Sequence, residues 1–161
     1  MLTESSVNDL YQSAVAAFPG TTKRQHAIDP VRIVQLSWTP YVGLNTLFIK
    51  GLAENAGRNY KTLALFKNVT YGSGLPVVVN DKEYLIEPIS AENTDVVVRC
   101  DCKDFYWRFN YYDHLDHSLY GRKRSQYEGK GLWKANPMEM AGMCKHLMKM
   151  FLALRDAQIL N

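Results

Sequence analysis

The chain has 161 residues and only three cysteines, and an odd count this small excludes a disulfide framework. It has no apolar run of about 18 residues, so no segment is predicted to span a membrane as a helix. Residues 1–17 carry Glu4 and Asp9 and lack a basic start followed by an apolar stretch. They do not read as a secretory signal, and the protein is expected to stay in the compartment where it is made. Internal repeats and Pro/Gly/Ser-rich linkers are absent as well, which predicts one domain over 1–161. So are a Gly-rich phosphate loop, G-x-S-x-G and H-E-x-x-H, so no catalytic residue is predicted and a non-enzyme is expected. Charge of one sign is scarce: 19 Lys plus Arg stand against 16 Asp plus Glu, a net of +3 that argues only weakly for a nucleic-acid partner. What is present is an ordinary globular composition, 47% hydrophobic, in a chain long enough to bury its own core.

Along the chain the apolar period changes several times. Val7, Leu10, Tyr11, Ala14, Val15 and Phe18 follow helical spacing over 5–18, with Ser5 or Ser6 as cap and Pro19-Gly20 as stop. Residues 31–39 then alternate. Apolar stretches at 46–52 and 62–69 flank a Gly-containing loop at 55–59, which predicts a hairpin. Short strands are predicted at 75–79 and 82–87, turning at Asn80-Asp81. The expected class is α+β, an antiparallel sheet with an N-terminal and a C-terminal helix.

From Asp95 onward the pattern is unusual. Val96, Val98, Cys100 and Cys102 share one side of an extended strand. Residues 104–112 then hold six aromatics in nine positions. Read as a strand, they put Phe105, Trp107, Phe109 and Tyr111 on one face. That face is either heavily buried, the commoner use, or a stacking platform for single strands. Residues 113–135 read as an exposed, basic excursion. Asn136-Pro137-Met138-Glu139 carries the signals of a helix start, Gly142 interrupts it, and a last helix is predicted over 144–158 with Leu147, Met150, Phe151 and Leu154 on one stripe.

The cysteines are not scattered. Cys100-Asp101-Cys102 ends a strand and Cys144-Lys145-His146 begins the final helix, with 41 residues between the pairs. Three thiolates and one imidazole make the closed, four-coordinate set of a structural zinc site, with no ligand left over and no open position for water. Cys100 and Cys102 point the same way from an extended backbone. Cys144 and His146 lie about 200° apart on a regular helix, so they converge only if Cys144 sits in the turn and His146 on the first helical turn. Gly142 would supply the break this needs, and the helix N-terminus would favour thiolate at Cys144. The competing reading is three buried free cysteines and an ordinary histidine. A Cys100–Cys102 disulfide is disfavoured by the strain of a one-residue loop.

The pattern C-x-C…C-x-H at Cys100, Cys102, Cys144 and His146 resembles the SWIM-type zinc finger, and places a SWIM-like zinc-binding portion at 95–160. SWIM modules are associated with DNA or protein binding. A second resemblance rests on Phe18-Pro19-Gly20-Thr21-Thr22-Lys23-Arg24-Gln25-His26, the hairpin, Cys102-Lys103-Asp104-Phe105 with Arg108-Phe109, and Asn136-Pro137 with Gly142-Met143-Cys144-Lys145-His146-Leu147. Together these are similar to small structural proteins of tailed bacteriophages, contractile-tailed ones in particular. The resemblance implies a non-enzymatic virion component of tail, baseplate or neck, made in the host cytoplasm and working in a symmetric ring with other virion proteins. The expected docking residues are Tyr120, Arg122, Lys123, Arg124 and Tyr127, since Tyr and Arg favour interfaces.

Alternatives remain at this point. A SWIM-like nucleic-acid-binding accessory factor would use the aromatic strand and Arg122–Arg124, and a thiol enzyme would use Cys144 with His146. Asp113, His114, Asp116 and His117 make a weaker metal candidate on a turn, better read as a solvated loop.

Overall fold

A computed structural model describes residues 5–19, 27–124 and 135–161. The first element is helix α1 (Val7–Ala17). Ser6 caps it by accepting the Asp9 N–H at 3.2 Å, while the Asp9 carboxylate accepts the Ser6 N–H at 3.0 Å. This reciprocal box satisfies two amides that a helix start otherwise leaves orphaned. Val7, Leu10, Ala14 and Ala17 face inward, as their spacing predicts.

The main sheet is antiparallel, in the order β1 (Arg32–Tyr41), β2 (Thr46–Asn55), β3 (Arg58–Phe66), β6 (Val96–Cys100). The hairpin is longer than its apolar stretches suggest. Ala56 and Gly57 both have positive φ, a two-residue turn whose twist matches the strands. Pairing therefore runs to Asn55 opposite Arg58. A separate hairpin joins β4 (Tyr71–Val79) to β5 (Lys82–Ile86), with Asn80 and Asp81 in the left-handed region as the sequence predicts. One sheet face buries Leu47, Ile49, Ala64, Phe66, Val96, Val98 and Cys100. Helix α4 (Lys145–Asp156) lies among them, with Thr62 Oγ1 at 3.0 Å from Met150 Sδ. The class is α+β, and no described helix is long and apolar enough to cross a membrane.

Three expectations are corrected. The aromatic run is not a strand but two short helices, α2 (Lys103–Arg108) and α3 (Asn110–Leu115). Cys102 starts the first by accepting the Phe105 N–H through Sγ, and Asp104 pairs with Arg108 one turn later, at 2.6 Å. The period is therefore helical: Phe105 and Phe109 are 0% exposed while Trp107 is 46% exposed. No strand-borne stacking face forms. The helix start predicted at Asn136 is likewise absent. The Asn136 amide donates to the carbonyls of Arg108 and Met140, and Glu139 takes positive φ, so the segment turns instead of coiling. Finally, the stretch after Asp113 is not wholly exposed. Asp113, Ser118 and Arg124 are buried, and residues 118–120 hydrogen-bond alongside β6 through Val98. Residues 125–134 lie outside the described residues.

The β4 end of the second hairpin supplies a pH prediction. The Tyr71 hydroxyl donates to the Thr46 carbonyl, and burial pushes its pKa from 10.0 up to about 12. The unfolded chain gives up this proton first. The contribution is thus complete below about pH 10 and is lost as pH rises toward 12. Tyr71→Phe should flatten that part of the stability profile, measured by denaturant unfolding on either side of pH 10; an unchanged slope would remove Tyr71 as its source.

Candidate metal centre

Two short stretches of chain deliver the quartet. Cys100 ends β6, Cys102 is the residue before α2, Cys144 is the residue before α4, and His146 lies in the first turn of α4. Cys144 has extended dihedrals, φ −80° and ψ 169°. That resolves the helical mismatch between Cys144 and His146 as the sequence requires. Their donor atoms all lie within 4.8 Å of one another, and all four residues are buried.

The imidazole Nδ1 is the nitrogen turned to the sulfurs, 3.8 Å from Cys100 Sγ and 3.9 Å from Cys144 Sγ. A tetrahedral centre with metal–sulfur bonds of about 2.3 Å and a metal–nitrogen bond of about 2.0 Å sets sulfur and nitrogen about 3.5 Å apart. The residues fit a metal ion. Tyr60 stacks flat on the His146 ring, centroids 4.2 Å apart, and so fixes its plane. Nε2 is buried without a hydrogen-bond partner. All three cysteines are free of disulfides.

The thiols do not share charge evenly. Hydrogen bonds from Cys100 and Cys144, then from His146 and the Phe105 N–H, hold Cys102 well below the usual thiol range against the opposing effect of burial. Burial pushes Cys100 and Cys144 up. Cys102 is thus the thiol biased toward its thiolate. Cys144 is completely buried and its side chain makes no cap hydrogen bond, so desolvation outweighs the helix field. A divalent cation would take the place of the protons that Cys100 and Cys144 otherwise keep.

Gly142 lies in the non-helical stretch before α4, as expected, and has a second role there. A Cβ there would stand 2.5 Å from Phe109 Cε1 and 2.9 Å from Ala14 Cβ, so glycine is what lets the 139–144 turn press against α1 and the aromatic helices.

The remaining sequence candidates are placed as follows. Tyr120 is half-buried against Phe48, ring centroids 5.5 Å apart, and Arg122 and Lys123 are exposed. Arg124 is 8% exposed, its guanidinium 5.6–6.0 Å from the ring centroids of Tyr106, Trp107 and Tyr111. Tyr127, like Lys23, Arg24, Gln25 and His26, lies outside the described residues. The Asp113–His117 group does not gather: Asp113 Oδ1 accepts the Gly142 N–H, Asp116 accepts the Ser5 hydroxyl, and both histidines are exposed. Among the described residues the Cys/His quartet is the one cluster of three or more candidate metal ligands.

Sequence reasoning missed Tyr60 and gave Asn136 and Asp113 other roles. Tyr60 and Asp113 sit in polar surroundings that read as surface, and the Asn-Pro pair imitates a helix cap. Compared with protein-family models, curated proteins and solved structures, the chain has no match in any of the three.

Proposed function

We propose that this protein is a non-enzymatic structural component of a tailed-phage virion, held in shape by one structural zinc ion on Cys100, Cys102, Cys144 and His146. The observation that carries the structural role is the closed, fully buried Cys3His set, all donors within 4.8 Å. Four protein ligands saturate a tetrahedral zinc and leave no position for a substrate or an activated water. Thiolates with an imidazole favour zinc over the hard, oxygen-seeking cations. In this reading zinc staples the β6–α2 junction to the start of α4.

The virion assignment rests on the sequence resemblance described above. It makes tail, baseplate or neck proteins the partners, in a symmetric ring. Exposed Arg122 and Lys123, with half-buried Tyr120, would lie on the docking face, beside the exposed rings of Tyr106 and Trp107. The alternative of a nucleic-acid-binding accessory factor loses its stacking strand, because Phe105 and Phe109 are inside.

Mass spectrometry of purified particles tests the assignment. The chain should be found in them in a fixed, symmetric copy number, with one zinc per chain by elemental analysis of the isolated protein. Its absence from particles would sink the virion role, and a zinc-free chain purified without chelator would sink the metal role.

A further inference from the structure

The segment that leads into α4 has neither helix nor strand hydrogen bonds of its own, yet it delivers Cys144 and sets the start of the helix that carries His146. Buried backbone groups need partners, and here side chains from other elements supply them. Ser13 of α1 donates to the Ala141 carbonyl, Asn136 donates to the Met140 carbonyl, and Asp113 of α3 accepts the Gly142 N–H at 2.8 Å. Met143 and Cys144 follow at 1% and 0% exposure.

Asp113 is the unusual member of this set. It is 0% exposed and its Oδ2 has no hydrogen-bond partner. A buried carboxyl with one oxygen unmet is costly, and neither a salt bridge nor a solvent contact accounts for it in the described structure. What it does touch is the amide two residues before Cys144, at the glycine that also packs against Phe109 and Ala14.

We infer that Asp113 is a positioning residue for the metal centre: by holding the Gly142 N–H it fixes the turn that presents Cys144 and His146, and so sets the affinity of the site for zinc. This rests on reading the quartet as a zinc site. The role needs only an acceptor oxygen. Burial pushes the Asp113 carboxyl well above the usual carboxylate range, with the nearby Asp116 charge adding to the rise, which favours the neutral acid. Asparagine offers the same carbonyl oxygen in nearly the same shape.

Zinc competition against a chromophoric chelator tests this on the full chain. Partners of metal ligands change affinity by roughly 10- to 100-fold when removed, and Asp113→Ala should weaken zinc by that much while Asp113→Asn stays within about threefold of the parent. Gly142→Ala, which displaces the same turn by driving a methyl group into Phe109 and Ala14, should weaken zinc as well, and carries the test should Asp113→Ala fail to fold by far-ultraviolet circular dichroism. Zinc affinity unchanged in Asp113→Ala, or in Gly142→Ala where that variant stands in, overturns the inference. So does an Asp113→Asn loss as large as that of alanine. A parent chain that binds no zinc overturns the reading of the site itself, and shows it before any variant is compared.

Discussion

Cys144→Ser is expected to abolish stoichiometric zinc binding and to lower the melting midpoint by roughly 8–16 °C relative to the zinc-loaded parent. The first part follows from ligand count, since three remaining donors and a poor hydroxyl ligand no longer close the tetrahedron. The second follows from linkage. A ligand held at about 1,000 times its dissociation constant stabilises the folded state by about 4 kcal/mol, and each kcal/mol moves the midpoint of a chain this size by about 2–4 °C. Serine adds its own penalty, because Cys144 is 0% exposed and a hydroxyl buried there needs a partner. The control is the parent with chelator: it should melt close to the variant, separated only by that penalty. A parent whose midpoint ignores the chelator would mean that the core holds the chain without metal.

The size of that effect reflects where the ligands sit. One pair closes the β6–α2 junction and the other opens α4, and 41 residues separate Cys102 from Cys144. A cross-link across so long a loop removes more freedom from the unfolded chain than from the folded one. It also acts where the stretch just before Cys144 is held by side-chain hydrogen bonds from Asn136 and Asp113 in place of a helix or a strand ladder.

The quartet was legible because its chemistry is local. Two C-x-C or C-x-H pairs with matching valence need no knowledge of the rest of the fold, and an extended Cys144 before the helix is the one backbone solution that brings Cys144 and His146 together. The first helix and the sheet were legible for a similar reason, since Ser6 with Asp9, or Asn80 with Asp81, settle their geometry within a few residues. Asn136 misled because the same residue type serves different ends, and Gly142 does more than break the helix. An Asn before Pro caps a helix or, as here, ties a turn to a distant carbonyl; a glycine bends the chain or lets another ring approach. Asp113 had no local signature at all. Only the approach of Gly142 from 29 residues away makes it a buried acceptor.

The aromatic run shows the same limit and yields the second large prediction. Phe109→Ala should cost about 3–5 kcal/mol, the usual loss for a fully buried ring, which is a large share of the 5–15 kcal/mol that holds a typical domain. Phe109 sits between α2 and α3 and is 0% exposed. Its ring meets Phe18 edge-on at 5.8 Å, lies 4.5 Å from the Arg108 guanidinium, and forms the wall against which Gly142 rests. Truncation opens a cavity at each of those contacts, and it should weaken zinc binding too, since the turn before Cys144 loses its backing. Trp107→Ala removes a larger ring, but one that is 46% exposed, and should cost about 1 kcal/mol or less. The contrast separates the two possible periods of the sequence. In a strand with one buried face, positions 107 and 109 would be equivalent and their truncations would cost alike. In the helices, two residues of separation turn the chain by about 200° and put them on opposite sides. Equal costs in denaturant unfolding would restore the strand and remove the wall behind the metal centre.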